Sequence, residues 1–203
     1  MHSENTSRFL FIIFCLCINS YCAFFIPATY QMRKNDISNH LKSEIHIIKR
    51  YPFQKGKMKM SSEEIELLKG PERVEKFLEN CVFLGPVRFI VRNGVSILEA
   101  VGEYDNVKYK DMGDKKLASL ISDDRSFECH IDILKVGKIE MFTKEKETES
   151  GKRILYLIRM FDLEGEGILT SLLHSSGTEY EEGAVEWWNK TRDLFGEVQI
   201  ISS

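Results

Sequence analysis

The dipeptide Asn93-Gly94, set between two stretches of alternating side chains, constrains the fold of this chain more than any other local feature. Large apolar residues recur at every second position over residues 87–91, and the same alternation continues at Val95, Ile97, Glu99 and Val101, where Glu99 is the one polar member. Asn-Gly between two such stretches is typical of a β-hairpin, because both residues tolerate the positive φ angles that the tightest turns require. We therefore predict a hairpin with a two-residue turn in which Asn93 and Gly94 both have positive φ.

Six further strands are predicted downstream by short runs rich in β-branched and aromatic residues. Their bounds are Val107–Lys110, Lys116–Ile121, Phe127–Ile133, Lys138–Thr143, Ile154–Phe161 and Ile168–His174. The charged residues 144–152 are interpreted as a solvated hairpin tip. Helical periodicity is confined to two stretches that begin after Ser61 and at Gly70, and to a closing helix over Gly183–Phe195. Sequential strands with helices only at the two ends predict a mostly antiparallel α+β domain over residues 61–203.

The region before this domain has a different composition. Residues 1–23 contain an apolar run after Arg8 and end in small residues, which is typical of a cleavable secretory signal peptide. Residues 24–60 contain eight basic and two acidic residues and little apolar periodicity, which predicts a disordered segment. Residues 61–203 instead contain 19 basic and 28 acidic residues. We place signal cleavage near Ala23 and expect no stable membrane insertion after it.

A signal peptide followed by a basic, acid-poor segment resembles the two-step leader of proteins targeted to complex plastids, such as the apicoplast. A plastid location reached through the secretory pathway is the first hypothesis, and secretion with a flexible basic arm is the alternative. Nucleic-acid binding is disfavoured, because aromatic residues do not interleave with the basic ones and the domain behind them is acidic. After the leader only Cys81 and Cys129 remain, which predicts free thiols rather than a disulfide framework.

The motifs of several common enzyme classes are missing from the sequence. It has no nucleophile elbow, P-loop, zinc-protease motif or Cys-x-x-Cys pair. Two histidines, His130 and His174, follow residue 60, too few for a multi-histidine metal site. His174 stands at the end of a predicted strand and is interpreted as a loop residue.

His130 lies in the strand Phe127–Ile133, where alternation places it on one face together with Glu128 and Asp132. Neighbouring carboxylates favour the protonated imidazole, and either of them could fix its tautomer. The sequence leaves two interpretations of this face open. It is either a ligand site or the ordinary solvated face of an antiparallel sheet.

Arg159 lies in a predicted strand that is apolar on both faces, so we expect its guanidinium to be partly buried. A buried arginine requires a carboxylate or a ligand anion. A cross-strand pair with Glu140 or Glu99 and anion binding are the two alternatives. Trp187 and Trp188 of the closing helix are interpreted first as core residues and second as the wall of a ligand site.

Several segments of the chain resemble one family. The stretch from Phe83 to Gly102 is similar to the opening hairpin of small cyanobacterial proteins that we associate with the ChuX/HutX haem-carrier family. The segment Phe127–Ile133, followed by Ile139-Glu-Met-Phe, resembles that family's central strands. Its C-terminal strands and closing helix have counterparts in Ile154–Asp162, Ile168–Leu173 and Gly183–Gly196. The resemblance extends over nearly all of residues 72–198.

This resemblance implies a protein that binds or carries haem, with a sheet backed by helices and often paired as a homodimer. His130 matches the family's strand histidine and becomes the candidate axial ligand of the iron. The second histidine or tyrosine that members often offer has no clear equivalent, so five-coordinate haem or no haem stays open. Haem also requires a cation near its propionates and an apolar wall. The candidates for these two roles are Arg159, Arg88, Trp187, Trp188 and Phe142.

Two other classes of function stay open beside the haem carrier. An enzyme that modifies a tetrapyrrole would need a proton donor beside the ring, and Glu128 or Asp132 could serve. A protein-interaction module would use the face of His130 without any cofactor. Absorption after haem addition distinguishes the interaction module from the other two classes, and turnover with a reductant and oxygen distinguishes the enzyme from the carrier.

Overall fold

Two antiparallel sheets and three helices make up the part of the chain that the computed structural model describes, residues 61–149, 151–177 and 179–201. The predicted signal peptide and basic segment lie outside the described residues. Along the chain the strands are β1 (Val87–Arg92), β2 (Ile97–Gly102), β3 (Lys108–Asp111), β4 (Lys116–Ile121), β5 (Glu128–Asp132), β6 (Val136–Thr148), β7 (Gly151–Asp162), β8 (Gly167–Leu173) and β9 (Val198–Ile200). The helices are α1 (Ser62–Leu67), α2 (Gly70–Cys81) and α3 (Ala184–Phe195), and short 3₁₀ turns cover Val82–Leu84 and Ile133–Lys135.

The strands form a larger sheet in the order β2-β1-β8-β7-β6-β9 and a smaller sheet in the order β3-β4-β5. Every pairing between neighbouring strands is antiparallel. With α1 and α2 before the strands and α3 near the end, the structure confirms the predicted α+β class. The short strand β9 is an addition that the sequence pattern did not predict.

The helix ends follow local signals in the sequence. Ser61 accepts a hydrogen bond from the Glu64 amide, and the Glu64 carboxylate accepts one from the Ser61 amide, so a capping box begins α1. Pro71 occupies the first turn of α2, where a missing N–H leaves no helical hydrogen bond unmade. α3 ends at Gly196, whose φ of 90° is one that glycine adopts readily. No helix in the described residues is long and apolar enough to cross a membrane.

Alternate residues of the larger sheet face the helices and form the core. We call this side the inner face and the opposite side the outer face. The Tyr156 ring on the inner face lies 5.2 Å from the Trp188 ring of α3, and Trp188 is completely buried. Phe77 of α2 meets Phe195 of α3 edge to face at 5.3 Å. The helices therefore cover the inner face, and the two sides of the sheet have different roles.

The smaller sheet joins the same core through aromatic contacts. Phe127, just before β5, stacks on Phe89 of β1 with ring centroids 4.7 Å apart. A Cβ atom on Gly102 would lie 2.5 Å from the Phe127 ring, so only glycine leaves room for this approach. The Tyr109 hydroxyl donates to the Glu75 carbonyl oxygen of α2 at 3.1 Å. These contacts fix the position of the smaller sheet.

The predicted hairpin around Asn93-Gly94 is confirmed, but the prediction of a two-residue turn with positive φ at both residues is wrong. β1 and β2 pair from Val87 with Gly102 to Arg92 with Ile97, so four residues form the connection. Gly94 has a φ of 84°, whereas Asn93 is not among the residues with positive φ. The Asn93 side-chain oxygen accepts hydrogen bonds from the Val95 and Ser96 amides, and this local bonding widens the turn.

The charged segment over residues 144–152 was predicted as a solvated hairpin tip, and the strands in fact extend through most of it. The pairing of β6 and β7 continues to Thr148 opposite Gly151. Lys152 of β7 lies opposite Glu147 of β6 and forms an ion pair with Glu145 of the same strand at 3.2 Å. Exposure was predicted correctly, but exposed residues in a two-stranded ribbon can still be strand residues.

Candidate functional site

A groove of about 590 Å³ lies on the outer face of the larger sheet. It runs across β1, β8, β7 and β6, because these four strands are neighbours in the sheet. Its apolar floor is formed by Ile90, Phe142, Leu155, Leu157 and Leu172. Its cationic residues are Arg88, Arg92, Lys144, Lys146, Arg153 and Arg159. The combination of apolar floor and surrounding cations fits a flat apolar anion.

Register brings the floor residues together from distant parts of the sequence. Leu157 of β7 lies opposite Phe142 of β6 on one side and opposite Leu172 of β8 on the other. Leu172 in turn lies opposite Arg88 of β1. Each of these residues is two positions from another groove residue on its strand, as the alternation of a sheet requires. Phe142, Leu157, Leu172 and Arg88 therefore form one row across four strands, which no local motif reveals.

Arg159 and Arg88, two candidates from the sequence, both line this groove. Arg159 is partly buried, as predicted, and lies over the Phe142 ring at 5.4 Å and the Phe161 ring at 5.9 Å. Glu140 is its cross-strand neighbour, yet the Glu140 carboxylate binds Lys138 at 2.9 Å. Among the described residues Arg159 has no ion-pair partner, which leaves its guanidinium free to bind a ligand anion.

Arg88, unlike Arg159, forms an ion pair. Its guanidinium Nη1 lies 3.1 Å from the Oε2 carboxylate oxygen of Glu99 on β2. Both side chains are about half exposed, so this ion pair is easily exchanged for one with a ligand. Glu99 is the one carboxylate among the described residues of the groove. The excess of positive charge in the groove is therefore large, although residues 61–203 as a whole are acidic.

His174 also lines the groove, although the sequence indicated only a loop residue. It follows β8 directly, and its amide donates to the Pro86 carbonyl oxygen at 3.0 Å, which extends the pairing of β8 with the chain before β1. It is two residues beyond Leu172 and hence on the same face. The signal that would have revealed it is this parity, combined with the register of β8.

His130 lies on β5 of the smaller sheet and does not line the groove. Its Nε2 is 3.1 Å from a Glu128 carboxylate oxygen, and its Nδ1 is 2.8 Å from the Ser119 hydroxyl. The shared face with Glu128 agrees with the sequence, and Glu128 orients the ring. Asp132 instead accepts hydrogen bonds from the Lys116 and Leu134 amides. An iron ion could reach a ring nitrogen only by displacing Ser119 or Glu128.

Trp187 and Trp188 lie in α3 against the inner face, apart from the groove residues. Trp188 has no exposed surface and Trp187 is 5% exposed. The Trp187 ring packs on Phe83 with centroids 4.8 Å apart. Both tryptophans thus have the core role that the sequence put first. Of the predicted wall residues, Phe142 is the one in the groove.

The two cysteines do not offer a second site. Cys81 is fully buried, and burial raises the pKa of its thiol well above the ordinary value. Burial also raises the pKa of the Cys129 thiol. Both are free and protonated at neutral pH. The described residues contain no cluster of three or more histidine, cysteine or acidic side chains that could hold a metal ion.

Comparison with known proteins identifies a family. The sequence model for haem utilisation ChuX/HutX matches residues 68–190, more than half of the chain, which confirms the resemblance inferred from the sequence. No curated protein matches.

Solved structures with a similar arrangement have low sequence identity to this chain. A protein from Agrobacterium tumefaciens is 14% identical, with 82% of this chain and 99% of that one covered and a TM-score of 0.49. ChuX is 16% identical, with 75% and 89% covered and a TM-score of 0.49. Holo-PhuS, a haem-binding protein from Pseudomonas aeruginosa, is 16% identical, with 88% and 51% covered and a TM-score of 0.41.

Proposed function

The chain belongs to the haem-utilisation ChuX/HutX family, and on that premise we propose that it binds and carries haem in the outer-face groove. The observation that carries the proposal is an apolar floor surrounded by six cationic residues, one carboxylate and one histidine. Haem has the matching chemistry, because its macrocycle is flat and apolar and its propionates are anionic. The iron would supply a coordination site for a side chain of the groove.

Each part of the groove has a role in this proposal. The macrocycle lies against Phe142, Leu157 and Leu172, which remove one of its faces from water. Arg159 binds a propionate, since its guanidinium has no ion-pair partner among the described residues. Arg88 exchanges Glu99 for the second propionate. The groove is open to solvent, which suits a carrier that must release its ligand, so we propose an affinity in the micromolar range.

Two histidines are candidates for the iron ligand. His174 lines the groove, whereas His130 matches the family's strand histidine and lies on the smaller sheet. We propose His174 as the ligand in the groove, because its position requires no rearrangement of a neighbouring pair. The Ser119 and Glu128 contacts of His130 would have to be broken first.

A haem titration followed by absorption tests both the function and the ligand. The purified protein should show a shifted Soret band, and His174→Ala should abolish the shift while His130→Ala leaves it unchanged. The reverse pattern would return the ligand role to His130 and move the site to the smaller sheet. No spectral change with the unaltered protein would refute haem binding and favour the interaction module.

The location that we propose is a complex plastid, on the basis of the signal-like and basic segments in residues 1–60. A fluorescent reporter fused behind residues 1–60 should accumulate in the plastid, and one fused behind residues 1–23 should be secreted. Secretion of the longer fusion would contradict the plastid location and leave the alternative, a secreted protein.

A homodimer is the assembly that we propose, with β2 as the contact. β2 is an edge strand of the larger sheet, and its residues Ile97, Leu98 and Val101 are 59%, 68% and 47% exposed. An exposed apolar edge strand pairs readily with a second copy of itself. Light scattering should give twice the monomer mass, and Leu98→Lys should give a monomer. A monomeric unaltered protein would refute the dimer.

A further inference from the structure

The cations of the groove lie at both ends of its apolar floor. On the outer face of β7 the side chains follow the order Arg153, Leu155, Leu157, Arg159, so two leucines separate two arginines. Six residues of extended strand separate the two Cα atoms by about 20 Å. One end of the floor therefore has Arg159, and the other end has Arg153.

Two lysines join the Arg153 end through the strand register. Lys144 lies opposite Leu155, and Lys146 lies opposite Arg153, so both lysines belong to the Arg153 end. Neither lysine forms an ion pair with a described residue. Arg153 itself donates to the Gly177 carbonyl oxygen at 3.2 Å and to the Ser175 hydroxyl, so those contacts hold it at the rim of the groove.

This two-ended distribution does not match haem alone. Haem carries both of its carboxylates on one edge, so its propionates can satisfy only one end of the floor. The opposite edge, which carries vinyl groups, would then lie beside Lys144, Lys146 and Arg153. A macrocycle with carboxylates on both sides would place an anion at each end.

We infer that the groove prefers tetrapyrroles with four carboxylates, of the coproporphyrin class, over those with two. The inference rests on the proposed function, since it concerns the same groove. It assigns Arg159 to the carboxylates at one end, with Arg88 beside the floor and level with Leu157 and Leu172, and it assigns Lys144, Lys146 and Arg153 to the carboxylates at the other end. The lysine end is thus a specificity determinant that a dicarboxylate ligand leaves unused.

The test compares metal-free coproporphyrin III with metal-free protoporphyrin IX, so that iron ligation does not contribute. Tryptophan and porphyrin fluorescence of the full chain give the two dissociation constants. We expect coproporphyrin to bind about tenfold more tightly, because two additional exposed carboxylate contacts each contribute a modest factor. The ratio should decrease as salt is added, because exposed charges are screened.

The variant Lys144→Gln/Lys146→Gln should reduce this ratio to less than about threefold, through weaker binding of coproporphyrin alone. Lys152→Gln is the matched control, because Lys152 belongs to the same hairpin but pairs with Glu145. It should leave both constants unchanged. The double variant should retain the circular dichroism spectrum of the unaltered protein, since both lysines are exposed.

Equal affinity for the two porphyrins, or a preference that survives in the double variant, would overturn the specificity inference. Haem binding that depends on Arg159 would still support the proposed function in that case. No binding of either porphyrin would overturn the groove as a tetrapyrrole site and the inference with it.

Discussion

The two faces of the larger sheet are built from the same strands, yet they have opposite chemistry. On β7, Ile158 and Met160 face inward and are almost fully buried, whereas Leu157 and Arg159 face the groove. The inner face is closed by helices and stabilises the fold. The outer face combines leucines with cations, of which Arg159, Lys144 and Lys146 form no ion pair with a described residue. Alternate residues of a strand therefore contribute either to the stability of the fold or to binding in the groove. Variants on the inner face should change the free energy of unfolding, and variants on the outer face should change ligand affinity.

The largest effect is expected on the inner face, at Trp188. Trp188→Ala should lower the free energy of unfolding by about 3–5 kcal/mol, because it removes a fully buried aromatic ring and leaves a cavity. Denaturant unfolding measures this change. At low temperature, where the variant is still folded, porphyrin affinity should remain unaltered. A loss below about 1 kcal/mol would contradict the core role, since surface substitutions have effects of that size.

A smaller effect is expected at Tyr104, which is buried beside the inner face. Its hydroxyl is 2.6 Å from the Ser171 hydroxyl, and burial is the main cause that raises the pKa of Tyr104. Tyr104→Phe should destabilise the protein by about 1–2 kcal/mol, because Ser171 then lacks its buried partner. Adding Ser171→Ala should recover part of this loss, and thermal unfolding of both variants measures it. Full additivity of the two changes would contradict coupling between the hydroxyls.

In the exposed turn between β1 and β2, a substitution of Gly94 should reduce stability through backbone strain alone. A Cβ atom there meets no other atom within 4 Å, but the φ of 84° is strained for a β-branched residue. Gly94→Val should lower the free energy of unfolding by about 1 kcal/mol. Gly113→Val is a comparison in another turn, with a φ of 85° and equal space. An unchanged thermal midpoint for Gly94→Val would show that the turn adapts without strain.

The smallest effect on stability, with a clear effect on binding, is expected at Arg159. Arg159→Gln should change the free energy of unfolding by less than about 0.5 kcal/mol and weaken haem binding about fivefold. Arg125→Gln, an exposed change in the loop before β5, is the control and should do neither. Unfolding and haem titration of the same preparations test the separation. A large loss of stability in Arg159→Gln would contradict the claim that outer-face residues contribute to binding and not to the stability of the fold.

Sequence reasoning found what depends on local pattern. The alternation around Val87 and Val101 predicted a hairpin that exists, and the partial burial of Arg159 followed from its apolar strand. The length of the turn was predicted wrongly because the side-chain oxygen of Asn93 accepts hydrogen bonds from two amides. The Asn-Gly dipeptide does not indicate whether such bonds form. The two strands of the β6–β7 ribbon were predicted too short, because their charged outer residues resemble the residues of loops.

The site required information that local pattern does not contain. His174 belongs to the groove only because β8 lies between β1 and β7, and this order depends on pairings between residues far apart in the chain. His130 and Arg159 are both strand residues, but β5 with His130 belongs to the smaller sheet and β7 with Arg159 to the larger one. The sequence indicated correctly which residues share a face of one strand. It did not indicate which faces form one surface.

The strand β9 affects how the sheet is completed during synthesis. It pairs with β6 through Val198, Gln199 and Ile200, and it follows α3 in the chain. β6 and β7 are translated before β9, so the other edge of β6 has no partner until β9 has been translated. An unpaired edge is where nascent chains associate with one another. Stalled or shortened chains that end before Val198 should therefore aggregate, although every residue of the groove is already present.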